Sequence, residues 1–253
     1  MNHHYLELIW YKALAELRAE AARAYLGFLW WIIEPVVYMA AFYVVFVLVF
    51  HRGSPDFVPG LLCGLVVWKW FGSTILVSSN TIGANAGLME QVYLPKYLFP
   101  AIVVVINTLK FLAVLAVLVI FLMVYGIGPF ESWLSLPVVI LIQFLLISAV
   151  AGLVSAIVPF MPDFRLLLDN FLMLLFFLSG IFFNMNTVSE KLQFVLRLNP
   201  MAVIIESYRA VLINGQWPDG RHLAAVFVFS VIGIWLVGRV FRHYDRIYPK
   251  VLV

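Results

Sequence analysis

Six stretches of this 253-residue chain are each long and apolar enough to cross a lipid bilayer. A helical crossing takes about 20 mostly apolar residues. The stretches fall at about 29–50, 57–82, 98–125, 133–160, 166–183 and 223–241. They must be helices, because hydrocarbon offers a backbone no other hydrogen-bond partner and barrel strands would alternate polar and apolar residues. The sequence is 64% hydrophobic and 11% charged, against roughly half and a quarter in soluble domains. One water-soluble core cannot hide that surface, and disorder is excluded for the same reason. The net charge of +3 comes with no basic run, which argues against nucleic acid as a partner. The lone cysteine, Cys63, excludes an internal disulfide framework and a cysteine-rich metal site. The expected fold is an all-α integral membrane protein with six transmembrane helices.

The first 28 residues carry charges throughout and no short apolar core, so no cleavable signal peptide is expected. An even span count puts both termini on one side. Lys12, Arg18, Arg23, Lys96, Arg165, Arg239, Arg242, Arg246 and Lys250 fall on that side, nine in all. Arg52, Lys191, Arg197, Arg209 and Arg221, five in all, fall on the other. The excess predicts cytoplasmic termini. The chain then divides into an interface segment (1–28), a six-helix membrane domain (29–241) and a cytoplasmic tail (242–253).

Three segments outside the spans carry most of the remaining information. In residues 5–25, Leu6, Trp10, Leu14, Leu17, Ala21 and Ala24 form one helical stripe. Lys12, Glu16, Glu20 and Arg23 cover the opposite face. This predicts an amphipathic helix in the cytoplasmic interface, with Trp30 and Trp31 marking the turn into the membrane. It serves either as a plain anchor or as a docking and gating element. The loop around 83–95 is short, mildly helical and ends at Pro95. It is either a connector or a helix that inserts apolar anchors such as Leu88 and Met89 into a groove on a soluble partner.

Residues 184–221 are too many for a plain connection. Thr187-Val-Ser-Glu190 has a capping-box pattern, and Asn199-Pro200 offers a second helix start, with Asn as N-cap and Pro at the first helical position. Met201, Ile204, Tyr208 and Leu212 share a stripe, Glu206 and Arg209 stand three apart, and Asn214-Gly215 supplies a stop. Two half-length amphipathic helices suggest a re-entrant hairpin entering the membrane from outside between the fifth and sixth spans. The alternative is a pair of helices lying on the outer leaflet.

The chain contains no G-x-x-x-x-G-K-[ST], no H-E-x-x-H and no G-x-S-x-G, so neither ATP hydrolysis nor the corresponding peptidase or esterase chemistry is expected from it. Adjacent His3 and His4 do not suggest a metal site. Lys69 and Lys110 fall well inside predicted spans, where an unpaired charge costs roughly 2.5–3.5 kcal/mol. Each either snorkels to a boundary or, for Lys110, faces an aqueous path. Gly60 and Gly64, and Ser148 and Gly152, have the small-x-x-x-small spacing of packed membrane helices.

Several motifs resemble one family. Tyr25-Leu-Gly-Phe-Leu-Trp30, followed by Glu34-Pro35, resembles the run into the first span of the membrane subunits of bacterial polysaccharide ABC exporters. Leu94-Pro95 and Phe99-Pro100 resemble the start of the third span in that group. Phe160-Met-Pro-Asp-Phe-Arg165 resembles the turn before the fifth. Asn199-Pro-Met-Ala-Val-Ile-Ile-Glu-Ser-Tyr-Arg209, running on to Asn214-Gly215, is similar to the group's most specific signature. The matches occur in order along nearly the whole chain.

The resemblance implies a type-2 ABC exporter permease. Two copies of the chain would form a homodimer and pair with two ATPase subunits, which would bind ATP and Mg. The cargo would be a lipid-linked O-antigen or a capsular polysaccharide. ATPase coupling would fall to Gly83, Gly87, Leu88, Met89, Glu90 and Tyr93, with a smaller contact at Asp163 and Arg165. Arg18 and Arg23 would meet the lipid diphosphate, and Thr187, Glu190, Asn199, Pro200, Tyr208 and Arg209 would belong to a periplasmic gate.

A sugar polymer needs a continuous pore, and its ring faces stack on aromatic side chains. Tyr38, Phe42 and Phe46 on the first span and Phe171, Phe176 and Phe177 on the fifth are therefore expected to line it. A rival reading is an ion-coupled channel or carrier working without a nucleotide-binding partner. Teichoic-acid-type polymer export, small-molecule or lipid efflux and a membrane glycosyltransferase are further alternatives.

Overall fold

The computed structural model describes residues 3–23, 25, 27–45, 57–183, 188–245 and 247–251. Helices account for all of the regular structure among them. Helix α1 (His3–Arg23) leads through a 3-10 turn (Gly27–Leu29) into α2 (Trp30–Tyr43). Then come α3 (Phe57–Ser79), the short α4 (Thr81–Ala84) and α5 (Ala86–Gln91), and α6 (Leu98–Val124). A 3-10 segment (Glu131–Ser135) precedes α7 (Leu136–Ile157), which is followed by α8 (Phe164–Leu178). Two helices, α9 (Glu190–Arg197) and α10 (Pro200–Leu212), precede α11 (Gly220–Tyr244) and the terminal α12 (Tyr248–Val251).

Four of these elements are long and apolar enough to span a bilayer: Phe57–Ser79, Leu98–Val124, Glu131–Ile157 and Gly220–Tyr244. They correspond to the second, third, fourth and sixth predicted stretches. The described helix of the first stretch has 14 residues and that of the fifth has 15. At about 1.5 Å per residue the latter is roughly 22 Å long, short of the ~30 Å hydrocarbon core. Helix α8 stops early because Gly180 adopts φ 71° and residues 181–183 leave the helix.

The bundle is built on α3, α6 and α7, whose buried residues form one continuous apolar core with α10. Trp70 of α3 stacks on Phe111 of α6 with centroids 4.1 Å apart, and Phe111 meets Tyr208 of α10 edge-on at 6.4 Å. The buried Gln143 of α7 donates to the carbonyl of Val67 at 2.9 Å, the kind of polar tie that joins helices in lipid. Helices α7 and α11 touch at small residues. A Cβ at Gly152 would lie 2.7 Å from Val237 Cγ1, and one at Gly233 would lie 2.9 Å from the Cβ of Ala149.

Helix α1 packs on the start of α6 through a row offset from the stripe that the sequence assigns to the membrane interface. Ile9, Ala13 and Leu17 are buried against Leu98, Ile102 and Ile106, while Leu6 and Trp10 are exposed. Of the described residues of the predicted stripe, Leu17 alone belongs to this buried row; Ala24 lies outside the described residues. The helix has two apolar flanks, and small Ala13 lets one of them approach α6 closely. The other flank, with Leu6 and Trp10, is exposed. The Lys12–Glu16 pair forms at 3.3 Å.

The bundle has two distinct ends. One gathers α1, α4, α5, the turn after α7, and α12. The other gathers the 3-10 segment before α7, α9 and α10, where the Ser132 hydroxyl donates to the carbonyl of Val211 at 2.8 Å.

Candidate functional site

The most distinctive site is a cavity of about 720 Å³ toward the α1 end of the bundle. Five helices contribute to it: α1, α2, α3, α6 and α8. Its lining includes both span lysines, Lys69 and Lys110, together with the carboxylates Glu20 and Asp169. The Lys110 ammonium donates to both Glu20 oxygens, at 2.7 and 2.6 Å, and lies 5.3 Å from the centre of the Trp31 ring. The Trp31 indole N–H donates to the same carboxylate at 3.3 Å. Lys110 therefore does not stand alone. A residue assigned by periodicity to the polar face of α1 neutralises it.

Aromatic walls complete the cavity. Trp30, Trp68 and Phe176 all line it, and Trp68 packs against Phe176 with centroids 5.7 Å apart. Its ionisable lining is balanced, two cations against two carboxylates. Charged hydrogen-bonding groups beside aromatic faces suit a ligand with many hydroxyls and apolar ring faces.

Of the six aromatic residues expected to line a conduit, Phe176 lines this cavity. Phe171 and Phe177 are exposed on the outside of α8. Tyr38 and Phe42 lie on α2, their side chains and the whole of Phe46 being outside the described residues. Arg18 and Arg23 are exposed on α1, flanking Glu20.

The second site lies at the far end. Asn199 caps α10, its side chain accepting from the Met201 N–H at 3.0 Å with Pro200 at the first helical position. This is the start that the sequence predicts. Tyr208 is wholly buried. Arg209 does not bond to Glu206, which approaches Arg197 at 3.9 Å instead. The Arg209 guanidinium donates to the carbonyls of Gly60 (2.9 Å), Gly180 (2.7 Å), Ile181 (2.7 Å) and Phe183 (3.2 Å). It thus satisfies the unwound end of α8 and ties it to α3. The Gly60–Gly64 pair forms the seat: a Cβ at Gly64 would lie 3.3 Å from Arg209 Nη2. Asn199 adds a bond to the Ser179 hydroxyl at 2.9 Å. The capping box is not the start of α9, whose N-cap is Ser189, with Glu190 as its first residue. Thr187 falls outside the described residues. Asp219 caps α11, accepting from the Arg221 N–H at 2.9 Å and pairing with His222 Nδ1 at 2.8 Å. The His222 contact, and after it the Arg221 amide, hold the Asp219 carboxyl below its ordinary range.

The third site is the loop between α3 and α6. It forms two short helices broken at Asn85, whose Nδ2 donates to the carbonyl of Thr81 at 2.7 Å. Gly83 lies in α4; Gly87, Leu88, Met89 and Glu90 lie in α5. Leu88 is 39% exposed, whereas Met89 is buried against Ile82, Phe99, Phe241 and Tyr248. Of the two expected anchors, Leu88 alone is presented. Tyr93 is exposed just after α5. Asp163 and Arg165 are exposed at the turn into α8, beside exposed Phe160 and Met161. Among the described residues no group of three or more His, Cys, Asp or Glu is placed to hold a metal ion.

A helical membrane bundle with a polar, aromatic cavity and short helices at one end is the architecture of a transporter component. Residues 8–213 match the profile of the ABC-2 type transporter family, and the chain belongs to that family. It is 29% identical over 229 residues to the O-antigen export system permease protein RfbA of Myxococcus xanthus, covering 90% of this chain and 88% of the relative. A Klebsiella pneumoniae protein of the same name is 29% identical over 224 residues, covering 88% and 86%. The polysialic acid transport protein KpsM of Escherichia coli is 28% identical over 229 residues, covering 88% of each chain.

Proposed function

We propose that this chain is the permease subunit of a bacterial ABC exporter that moves lipid-linked polysaccharide of the O-antigen type across the inner membrane. ATP hydrolysis in a partner subunit drives the movement. The observation that carries this reading is the match to O-antigen export permeases over about nine-tenths of the chain. The cavity's chemistry agrees with it, because aromatic faces and charged groups hold sugars loosely enough to let them slide.

In this reading α2 and α8 are the first and fifth of six crossings, and both termini are cytoplasmic. The α9–α10 pair is a re-entrant hairpin on the periplasmic side. Its support is α10, an amphipathic helix of 13 residues with nine of them buried, since irregular backbone at membrane depth must be covered by protein. Two copies pair as a homodimer with two ATPase subunits, which bind ATP and Mg. The exposed Phe171 and Phe177 of α8 then face the conduit between the copies. Residues 1–28 form the interface segment, 29–241 the membrane domain and 242–253 the cytoplasmic tail. The diphosphate end of the cargo approaches near Arg18 and Arg23. Closure of the ATPase subunits reaches the bundle through Gly83–Tyr93, with a second contact at Asp163 and Arg165. The hairpins, latched at Arg209, then part.

Copurification of the tagged chain with nucleotide-binding subunits, followed by ATPase measurement with and without lipid-linked O-antigen, tests this. Glycolipid-stimulated hydrolysis by the complex is expected. Glycan transport by the chain alone in vesicles would overturn it. The similarity to polysialic acid transport proteins supports a second reading, capsular polymer export. Restoration of polysialic acid export but not O-antigen export in permease-deficient cells would select it.

A further inference from the structure

The segment after α11 reads as an ordinary tail, yet its contacts are specific and long-range. Asp245 accepts from the Tyr93 hydroxyl at 2.6 Å and from the backbone N–H of Lys96 at 3.1 Å. Both partners lie about 150 residues earlier, on the loop that carries α5. Lys96 is 2% exposed, and its ammonium donates to the carbonyl of Leu94 at 3.0 Å and lies 4.9 Å from the Tyr93 ring centre. The loop's exit into α6 is thus pinned around a single carboxylate.

Three residues later, Tyr248 is wholly buried. Its hydroxyl donates to the carbonyl of Ala156 at 3.1 Å, one of the last carbonyls of α7, which have no partner within that helix. Its ring packs on Phe160 at 5.1 Å and Phe241 at 6.0 Å, in the cluster that also buries Met89 of α5. One short segment therefore joins the α5 loop to the end of α7 and to the turn that carries Asp163 and Arg165.

We propose that Asp245 and Tyr248 form a strut that makes α5 and the ends of α7 and α11 move as one body, the two acting as positioning residues for energy coupling. The inference rests on the reading of α5 as the ATPase-docking helix. A six-residue helix is too short to hold its own shape against a load. Bonded only through its flanking turns, it would give way under push from a partner. The burial of Met89 in one cluster with Phe241 and Tyr248, together with the Asp245 bonds, backs it with the two helices, α7 and α11, that are packed together through small residues.

The test uses Asp245→Ala and Tyr248→Phe, the second of which keeps the ring packing and removes only the hydroxyl. In the purified chain, amide hydrogen exchange across α5 should quicken by about tenfold in both variants, while exchange in the middle of α3 and α6 stays unchanged. In the complex with the ATPase subunit, glycan exported per ATP hydrolysed should fall by roughly two- to thirtyfold while ATPase copurification persists. Asp245→Glu should restore part of both. Unchanged α5 exchange overturns the strut, and faster exchange with an unchanged export-to-hydrolysis ratio overturns its role in coupling. Leu88→Glu, on the exposed face of α5, separates the underlying reading: if the ATPase subunit still copurifies with that variant, the docking assignment fails while the exchange result still decides the strut.

Discussion

The ammonium of Lys110 sits between both carboxylate oxygens of Glu20, at 2.6 and 2.7 Å, joining the middle of α6 to the end of α1. Residues 90 positions apart are thereby fixed against each other at the mouth of an aromatic cavity. The pair is neither fully exposed nor fully buried, with side chains 23% and 50% accessible. Its value should fall between that of a surface pair and that of a buried one, about 1–2 kcal/mol. Lys110→Met and Glu20→Gln should each loosen α1, and the reversed pair Glu20→Lys with Lys110→Glu should recover part of the loss. A double-mutant cycle on thermal unfolding in detergent measures the coupling. A coupling energy of zero would show that the contact positions nothing.

Arg209 predicts a larger effect. Its guanidinium serves four carbonyls on two separate segments. Arg209→Met leaves several buried acceptors unmade at about 1–3 kcal/mol each, so a loss of at least about 3 kcal/mol is expected. Arg209→Lys should recover little, because a compact ammonium cannot reach the same fan of acceptors as the planar fork. Unfolding of detergent-purified variants, followed by tryptophan fluorescence, reads this directly. Near-wild-type stability of the lysine variant would mean that the fork geometry is not what holds the end of α8.

Much of this was legible in the residues, and the rest was hidden for identifiable reasons. Apolar run length locates the four long helices, and Asn199-Pro200 places the start of α10 to the residue. Local capping chemistry and hydrocarbon length are encoded nearby in the chain. The partners of Lys110 and Arg209 are not, because each is 26 to 149 residues away along the sequence. Which flank of α1 packs on α6 was not legible, since Leu6 and Ile9 are equally apolar and only the surface of α6 decides between them. The role of Gly60 and Gly64 was half visible: the spacing announced a close approach, but the approaching group is a guanidinium rather than a helix backbone.

The contact between α7 and α11 makes a steric prediction. A methyl added at Gly152 meets Val237 at 2.7 Å, closer than real carbons approach, so one of the helices must shift. Gly152→Val should destabilise by about 1–3 kcal/mol through overpacking. Val237→Ala, which opens the facing position, should relieve part of that cost in the double variant. Measured by detergent-phase unfolding, full additivity of the two changes would argue against their contact.

Asp219 opens α11 with its carboxylate bonded first to His222 and then to the Arg221 amide, and its pKa is depressed in the folded protein. A depressed folded-state pKa means that the charged carboxylate stabilises the fold. That contribution is present above the unfolded value, about 3.9, and is lost as pH falls through the folded one. At neutral pH Asp219→Ala should cost about 1 kcal/mol as a lost N-cap. The gap between wild type and variant should narrow as the pH is taken from about 7 to about 3. Asp219→Asn separates the two contributions, because an asparagine caps a helix well without a charge. Its stability relative to Asp219→Ala should stay constant over the same range. Hydrogen exchange in the first turn of α11 is the suitable readout, since the exposed site is screened by salt and a global unfolding midpoint would dilute so local an effect. A pH-independent gap between wild type and Asp219→Ala would show that the carboxylate's charge contributes nothing at this helix start.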